Sequence, residues 1–161
     1  MKWIVTQISR RIRSRNIIVF AAALLLTAAC GGPGTPPEEE LRQWVSSAQA
    51  AAEAKERRAM LDLISPDYAD GRNYKRDDIG DMLRVYFLRQ NNITLLTSID
   101  EIRLYGDSAA EIDMTVGMAG TNDSVFGFSA DAYSFQLELE NDGDDWLLIA
   151  ARWGEMGQEL R

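Results

Sequence analysis

The spacing of apolar residues changes once along this chain, near residue 92, and that change limits the fold more than any other feature. Before it, apolar residues recur every three or four positions, as in amphipathic helices. After it, they alternate with polar residues, as in strands with one buried face. This order predicts an α+β fold, in which helices pack on one face of a mostly antiparallel sheet.

Two helices are predicted before the change. The first begins with three glutamates after a pair of prolines, and one apolar stripe runs from Leu41 to Leu63, where a Ser-Pro pair ends it. The second covers residues 76–91, with Asp77 or Asp78 as its cap. Its inward residues are Ile79, Met82, Leu83, Tyr86 and Phe87.

About four long strands are predicted after the change. The alternation that starts at Ile93 slips near Asp100 and Glu101, which indicates a β-bulge. Asp142-Gly143 predicts a hairpin turn, and the last strand, "WLLIAARW", is apolar on both faces. Such a curved sheet wrapped on helices forms a cone with an apolar cavity, and its wall is expected to include Met114, Val116, Met118, Tyr133 and Phe135.

A family resemblance rests on four features: the long first helix, the loop "SPDYAD", the segment "YFLRQNNITLL" and a last strand ending in "ARW". Over residues 40–156 the chain resembles the nuclear transport factor 2-like superfamily, and residues 157–161 form a C-terminal tail. The resemblance implies a cone-shaped domain. It does not imply one chemistry, because the superfamily includes ketosteroid isomerases, polyketide cyclases, dehydratases and members without known activity.

The N-terminal segment has the features of an export signal. Residues 1–16 carry five basic residues and no acid, and the next 13 residues are uncharged, which is too short for a membrane-spanning helix. The junction before Cys30, the only cysteine in the chain, resembles the lipobox of bacterial lipoproteins. This resemblance predicts a signal peptide over 1–29 and a lipid-anchored Cys30. Ordinary signal cleavage beside a chance cysteine is the alternative.

The expected location follows from that anchor. Residues 30–39, "CGGPGTPPEE", form a flexible linker that holds the domain off the membrane. Gly31, rather than aspartate, follows the cysteine, which by resemblance to lipoprotein sorting favours the periplasmic face of the outer membrane. Arg10 and Arg11 leave the export route open between the general secretory and twin-arginine systems.

Charge and composition exclude several functions. After residue 29 the chain has 12 basic and 25 acidic residues, a net charge of −13, which disfavours nucleic acid as a partner. The chain contains no histidine, so Ser-His-Asp and Cys-His catalysis and histidine-ligated metals are excluded. We expect no metal and no cofactor. The acidic turn 140–146 superficially resembles a calcium loop but is interpreted as a solvated hairpin tip.

Three residues are candidates for acid–base chemistry. Asp131 falls on the apolar face of its strand, where a carboxylate in an enclosed pocket could act as a general base. Tyr86 or Tyr133 could then donate a hydrogen bond to the substrate, as in enzymes of similar fold. The alternative is that Asp131 is a solvated acid at the rim, and we prefer it.

Two further residues are candidates for ligand binding. Tyr68 lies in the "DYADG" loop, which could border the pocket or simply connect two helices, its acids accepting backbone N–H bonds. Arg152 is assigned to the same strand face as Trp146, Leu148 and Ala150, where it could bind an anion or pair with an acid across the sheet. The tryptophans are interpreted as core residues.

The sequence thus favours a lipid-anchored envelope domain that binds a small apolar molecule or a protein without catalysis. The alternative is a cofactor-free isomerase or lyase of the ketosteroid isomerase or polyketide cyclase type, with an aspartate base. The membrane is the expected partner through Cys30, and a homodimer through the outer sheet face is possible by resemblance.

Overall fold

The computed structural model describes the backbone of residues 35–121 and 128–161, and the side chains of residues 35–119 and 131–161. The helices of this part pack on an open, four-stranded antiparallel sheet, which confirms the predicted α+β fold. The predicted signal segment 1–29 and Cys30 lie outside the described residues. The elements are α1 (Pro37–Glu53), α2 (Arg57–Asp62), α3 (Arg76–Arg89), β1 (Asn92–Tyr105), β2 (Ala109–Thr121), β3 (Phe128–Asn141) and β4 (Trp146–Glu155).

The sheet has the strand order β1-β2-β3-β4, and every neighbouring pair is antiparallel. The predicted alternation of β2 is confirmed, because Ile112 and Met114 are buried and pair with Leu137 and Phe135 of β3. The predicted bulge in β1 is also confirmed: the register against β2 shifts between Ile99 and Glu101. This shift bends the edge strand over the core.

A second bulge, in β4, was not predicted. Glu138 pairs with Ala150 while Leu139 pairs with Leu148, so Ile149 is an extra residue on the β4 side. Because side chains alternate along a strand, one extra residue moves everything after it to the opposite face. The assignment of Arg152 to the inward face was therefore wrong, and Ala151 is buried in its place.

The long first helix is divided into α1 and α2. Lys55 adopts a left-handed conformation, with φ of 56°. The N–H of Glu56 donates to the carbonyl oxygen of Ala51 at 2.8 Å, and that of Lys55 donates to Ala52 at 3.1 Å. This pair of bonds is a Schellman motif, which ends a helix and satisfies its last carbonyl groups.

Side chains of α1 hold the helix against both edges of the sheet. Near its start, Glu40 accepts a hydrogen bond from Trp146 Nε1 of β4 at 3.0 Å. Near its end, Glu53 accepts from the backbone N–H of Leu95 at 2.8 Å, and Gln49 donates to the carbonyl oxygen of Leu95 at 3.1 Å. Since β1 is an edge strand, these bonds satisfy backbone groups that no neighbouring strand reaches.

The start of α3 and the last residues complete the fold. The N-cap of α3 is Lys75, so the prediction of Asp77 or Asp78 as the cap residue was wrong by two or three positions. Asp78, inside the first turn, accepts from the backbone N–H of Lys75 at 2.8 Å, which is the acidic half of a capping box. The last five residues fold back along β4, where Arg161 exchanges two backbone hydrogen bonds with Trp153. Within the described residues, no helix is long and apolar enough to cross a membrane.

Candidate functional site

A cavity of about 880 Å³ lies between the helices and the inner face of the sheet. The apolar cavity predicted from the sequence is thus present. The helices line it with Trp44, Val45, Ala48, Ala52, Tyr86 and Phe87. The sheet lines it with the five predicted residues Met114, Val116, Met118, Tyr133 and Phe135.

The open side of the cavity, called the mouth below, is bordered by exposed residues of α3. These are Asp81, Met82, Val85 and Arg89, which line the cavity and are also exposed to solvent. Met82 was predicted to point inward, but its side chain is 40% exposed. Apolar side chains therefore continue from the inner wall to the surface at the mouth.

Tyr68 lines the cavity, but its hydroxyl group is already bonded. The residue is only 2% exposed, and its hydroxyl donates to Asp70 Oδ2 at 3.1 Å. Burial, with the nearby carboxylate of Asp70, raises the pKa of Tyr68. Asp70 Oδ1 accepts from the backbone N–H groups of Arg72 and Tyr74 at 2.8 and 2.9 Å. The loop therefore connects two helices in the way the sequence suggested, and Tyr68 offers a ligand its ring.

Two polar side chains on the inner wall, Gln49 and Thr97, were missed as site residues. Thr97 Oγ1 donates to Gln49 Oε1 at 2.7 Å, and the amide nitrogen of Gln49 donates to Leu95. A signal was present, because Gln49 is four residues after Val45 on the apolar stripe and Thr97 occupies an inward position of β1. Their bonds to each other and to the backbone occupy most of their hydrogen-bonding groups.

The three candidate catalytic residues come together near the mouth. Burial raises the pKa of Tyr86, with smaller contributions from Asp131 and Tyr133. Burial also raises the pKa of Tyr133, with contributions from Asp131 and Glu155. Both tyrosines line the cavity, whereas Asp131 is exposed and is not part of its wall. The Asp131 carboxylate therefore influences both hydroxyl groups by its charge, although it is not part of the cavity wall.

Arg152 lies on the outer face of the sheet, away from the cavity. Its guanidinium is 3.8 Å from the carboxylate of Glu138 on β3, and both side chains are about half exposed. The pairing across the sheet that the sequence left open is thus observed. Exposed pairs of this kind contribute little to stability.

Trp153 forms part of the wall and is held by residues that the sequence did not single out. The guanidinium carbon of Arg72 lies 4.3 Å from the centre of the Trp153 ring, and Arg72 donates to the Trp153 carbonyl oxygen at 2.8 Å. Tyr74 stacks on the same ring at 6.4 Å. These contacts fix the position of the ring in the cavity wall.

The acidic turn after β3 is a hydrogen-bonded hairpin tip. Asp142 Oδ1 accepts from the backbone N–H groups of Asp144 and Asp145, both at 3.0 Å, and these bonds lower the pKa of Asp142. Asn141 accepts from the N–H of Gly143 at 2.8 Å. In the part of the chain that the structure describes, no cluster of acidic or sulfur ligands could hold a metal ion.

No family model and no curated protein matches this chain. A candidate scytalone dehydratase from Novosphingobium aromaticivorans superposes with a TM-score of 0.67 and 10% identity, covering 77% of this chain and 89% of that one. A candidate dehydratase of the NTF2-like family from Streptomyces avermitilis has a TM-score of 0.63 and 10% identity, covering 76% and 98%.

A third structure is larger than this chain. Bd1075 from Bdellovibrio bacteriovorus has a TM-score of 0.63 and 12% identity, and the match covers 75% of this chain but only 41% of that one. Together, the helices on a four-stranded sheet and these neighbours show that the described domain has the nuclear transport factor 2-like (NTF2-like) fold. At such identities the likeness concerns the fold and not the chemistry.

Proposed function

We propose that this chain is a lipid-anchored envelope protein whose domain binds a small apolar molecule without chemical change. The observation that carries the binding proposal is the cavity of about 880 Å³, whose wall is formed mainly by aliphatic and aromatic side chains. Its size is within the range of small-molecule sites, roughly 300–1,000 Å³. Apolar ligands are favoured there because transfer from water to such a wall is favourable.

The position of the candidate base supports binding over catalysis. A general base must lie within hydrogen-bond reach of the proton that it removes from the bound substrate. Asp131 is exposed and outside the cavity wall. Among the described residues, the buried carboxylate beside the cavity is Asp70, which is occupied by Tyr68 and two backbone N–H groups.

The binding proposal predicts stabilisation by ligand. A thermal-shift screen of steroids, long-chain alcohols and aromatic polyketides should yield compounds that raise the melting temperature in a concentration-dependent way. A ligand at 100 times its Kd stabilises the folded state by about 2.7 kcal/mol. Tyr86→Phe should change ligand affinity more than stability. A screen without any stabilising compound would count against the cavity as a binding site.

A second candidate function is a cofactor-free isomerase or lyase with Asp131 as base. The proximity of Asp131 to Tyr86 and Tyr133 favours it, and so does the fold shared with a candidate scytalone dehydratase. For a solvated rim acid, Asp131→Asn should change the free energy of unfolding by no more than about 0.5 kcal/mol. A stabilisation above about 1 kcal/mol in urea denaturation would instead indicate an acid kept for activity at the expense of stability.

The anchor proposal rests on the sequence around Cys30. Metabolic labelling with palmitate should label the wild-type protein and not Cys30→Ser, and mass spectrometry should find Cys30 as the modified first residue of the mature chain. The variant should leave the membrane fraction, since the acidic domain has no electrostatic affinity for anionic lipid. An unmodified wild-type protein in the soluble periplasm would refute lipidation.

A further inference from the structure

We infer that the ligand is an amphipath whose apolar body fills the cavity and whose head, at the mouth, is neutral or positively charged. This inference rests on the proposed binding function and adds the orientation and head-group class of the ligand. It is based on two observations: the positions of the polar groups in the cavity that make no hydrogen bond, and the charges that surround these groups.

The deep wall has few polar groups left for a ligand. The hydroxyl of Tyr68 is bonded to Asp70, and Gln49 and Thr97 are bonded to each other and to the backbone. The indole nitrogen of Trp44 makes no hydrogen bond within the described residues, but neighbouring atoms cover it completely. A polar ligand group placed here would lose its water without gaining partners, which is costly.

Among the described residues of the wall, the hydroxyl groups without a hydrogen bond are those of Tyr86 and Tyr133. Both belong to the side of the mouth, because Tyr86 is one turn after Met82 and Tyr133 also lines the adjoining outer pocket. Neither makes a hydrogen bond to the described part of the chain, and both rings belong to the cavity wall. A phenolic hydroxyl can donate to or accept from a ligand head while its ring packs against the apolar body. The ligand is therefore expected to enter apolar end first.

The charges around these hydroxyl groups disfavour an anion. The carboxylate of Asp131 is near enough to disfavour a further negative charge at the hydroxyl groups of both tyrosines, and Glu155 has the same effect at Tyr133. A third carboxylate, that of Asp81, lines the mouth. Arg89 also lines the mouth, so the border of the cavity itself is not uniformly acidic. Negative charge nevertheless prevails at the two hydroxyl groups by position: Asp131 lies two residues before Tyr133 on the same face of β3, and Glu155 is the β4 partner of Tyr133. After burial, Asp131 also contributes to the raised pKa of both tyrosines.

The arginines next to the mouth do not make the electrostatic potential at the two hydroxyl groups positive. A neighbouring polar pocket of about 340 Å³ shares Tyr133 and Trp153 with the cavity. It contains Arg72 and Arg161, but also Glu155 and Glu159, so its charges balance. Arg72 is further held on the ring and carbonyl oxygen of Trp153.

Three probes with the same ten-carbon chain test the inference: decyltrimethylammonium, 1-decanol and decanoate, each below its micelle concentration at pH 7.5. Binding to the purified protein is followed by tryptophan fluorescence, since Trp44 and Trp153 line the cavity. We expect 1-decanol to bind, and decyltrimethylammonium to bind at least about fivefold more tightly than decanoate. Salt at 1 M should narrow this ratio, because charges are then screened over roughly 3 Å.

Two double variants distinguish the effect of the charges at the mouth from the effect of the net charge of the protein. Asp81→Asn with Asp131→Asn should bring the cation-to-anion ratio close to one and leave 1-decanol binding within about twofold. The control, Asp107→Asn with Asp144→Asn, removes the same charge from exposed turns at the other ends of the strands and should keep the wild-type ratio.

The outcomes distinguish this inference from the proposed function. If 1-decanol binds but decanoate binds as tightly as the cation, the head-group assignment is wrong and the binding function stands. If the control double variant lowers the ratio as much as the mouth variant, the preference comes from net charge and the inference is likewise wrong. If none of the probes binds, the proposed function itself fails.

Discussion

Replacing Phe87 with alanine is expected to lower the free energy of unfolding by about 3 kcal/mol or more. Phe87 is 9% exposed, lies on the buried side of α3 and packs in the core next to the cavity. Truncation removes a large apolar side chain from the buried side of α3. The gap cannot be filled by neighbouring atoms, because one side of Phe87 already borders the cavity, so the contacts are lost outright.

The matched control is the next residue of the same helix. Leu88 is 78% exposed, so Leu88→Ala should change stability by no more than about 0.5 kcal/mol. Both variants introduce the same helix-favouring residue, so the difference between them reports burial. Urea denaturation followed by circular dichroism measures it. Equal losses in the two variants would show that α3 does not pack on the sheet as described.

Replacing Asp70 with alanine is the second large effect, with an expected loss of about 3 kcal/mol. The substitution removes the acceptor of the Tyr68 hydroxyl and of the backbone N–H groups of Arg72 and Tyr74. The Tyr68 hydroxyl is buried, so without Asp70 it would have neither an acceptor nor water, and the two N–H groups are partly buried. The loop that connects α2 to α3 should therefore lose its structure.

Asp67 of the same loop serves as the control, because its side chain is exposed. Asp67→Ala should be close to neutral, and Asp70→Asn should fall between the two, since an amide oxygen can still accept but an amide cannot replace both carboxylate oxygens. Thermal and urea denaturation give the ranking. A loss for Asp67→Ala that matches Asp70→Ala would contradict the assigned hydrogen bonds.

The sheet could be predicted well from the sequence because one of its faces is solvated. Polar residues then alternate with apolar ones, which fixes the buried face of β2 and β3 and shows the bulge after Ile99 as a slip in phase. In β4 apolar residues occupy both faces, so an extra residue leaves no visible slip. That is why the bulge at Ile149 was missed and Arg152 was placed on the wrong face.

The division of the first helix into α1 and α2 could not be predicted from the sequence, because the residue at the division is not one that usually ends a helix. Helices that end in a left-handed residue usually have glycine there, and here the residue is Lys55. Its ammonium group donates to the carbonyl oxygens of Gln90 and Asn91, a contact that helps to hold the turn and comes from a distant part of the chain. Local sequence patterns carry no information about such a partner.

The site was predicted in part. The apolar period correctly placed Tyr86 and Tyr133 on the cavity wall. It also placed Asp131 on the apolar face of its strand, and the structure pairs that residue with Met118 of the cavity wall. The period does not tell how far the helices cover a strand, so two interpretations of Asp131 stayed open, and its exposed side chain agrees with the preferred one, a solvated acid at the rim. Lipidation of Cys30 stays a prediction, because that residue lies outside the described part of the chain.

The most direct test of the central claim is calorimetric titration of 1-decanol into three proteins: the wild type, Ala48→Trp and Ala50→Trp. Ala48 lines the cavity, whereas Ala50 is exposed on the same helix. We predict saturable binding to the wild type and to Ala50→Trp, and affinity at least about tenfold weaker for Ala48→Trp, whose added ring occupies the ligand's space. Equal affinity for all three folded proteins, or no binding to the wild type, would contradict a ligand-binding cavity.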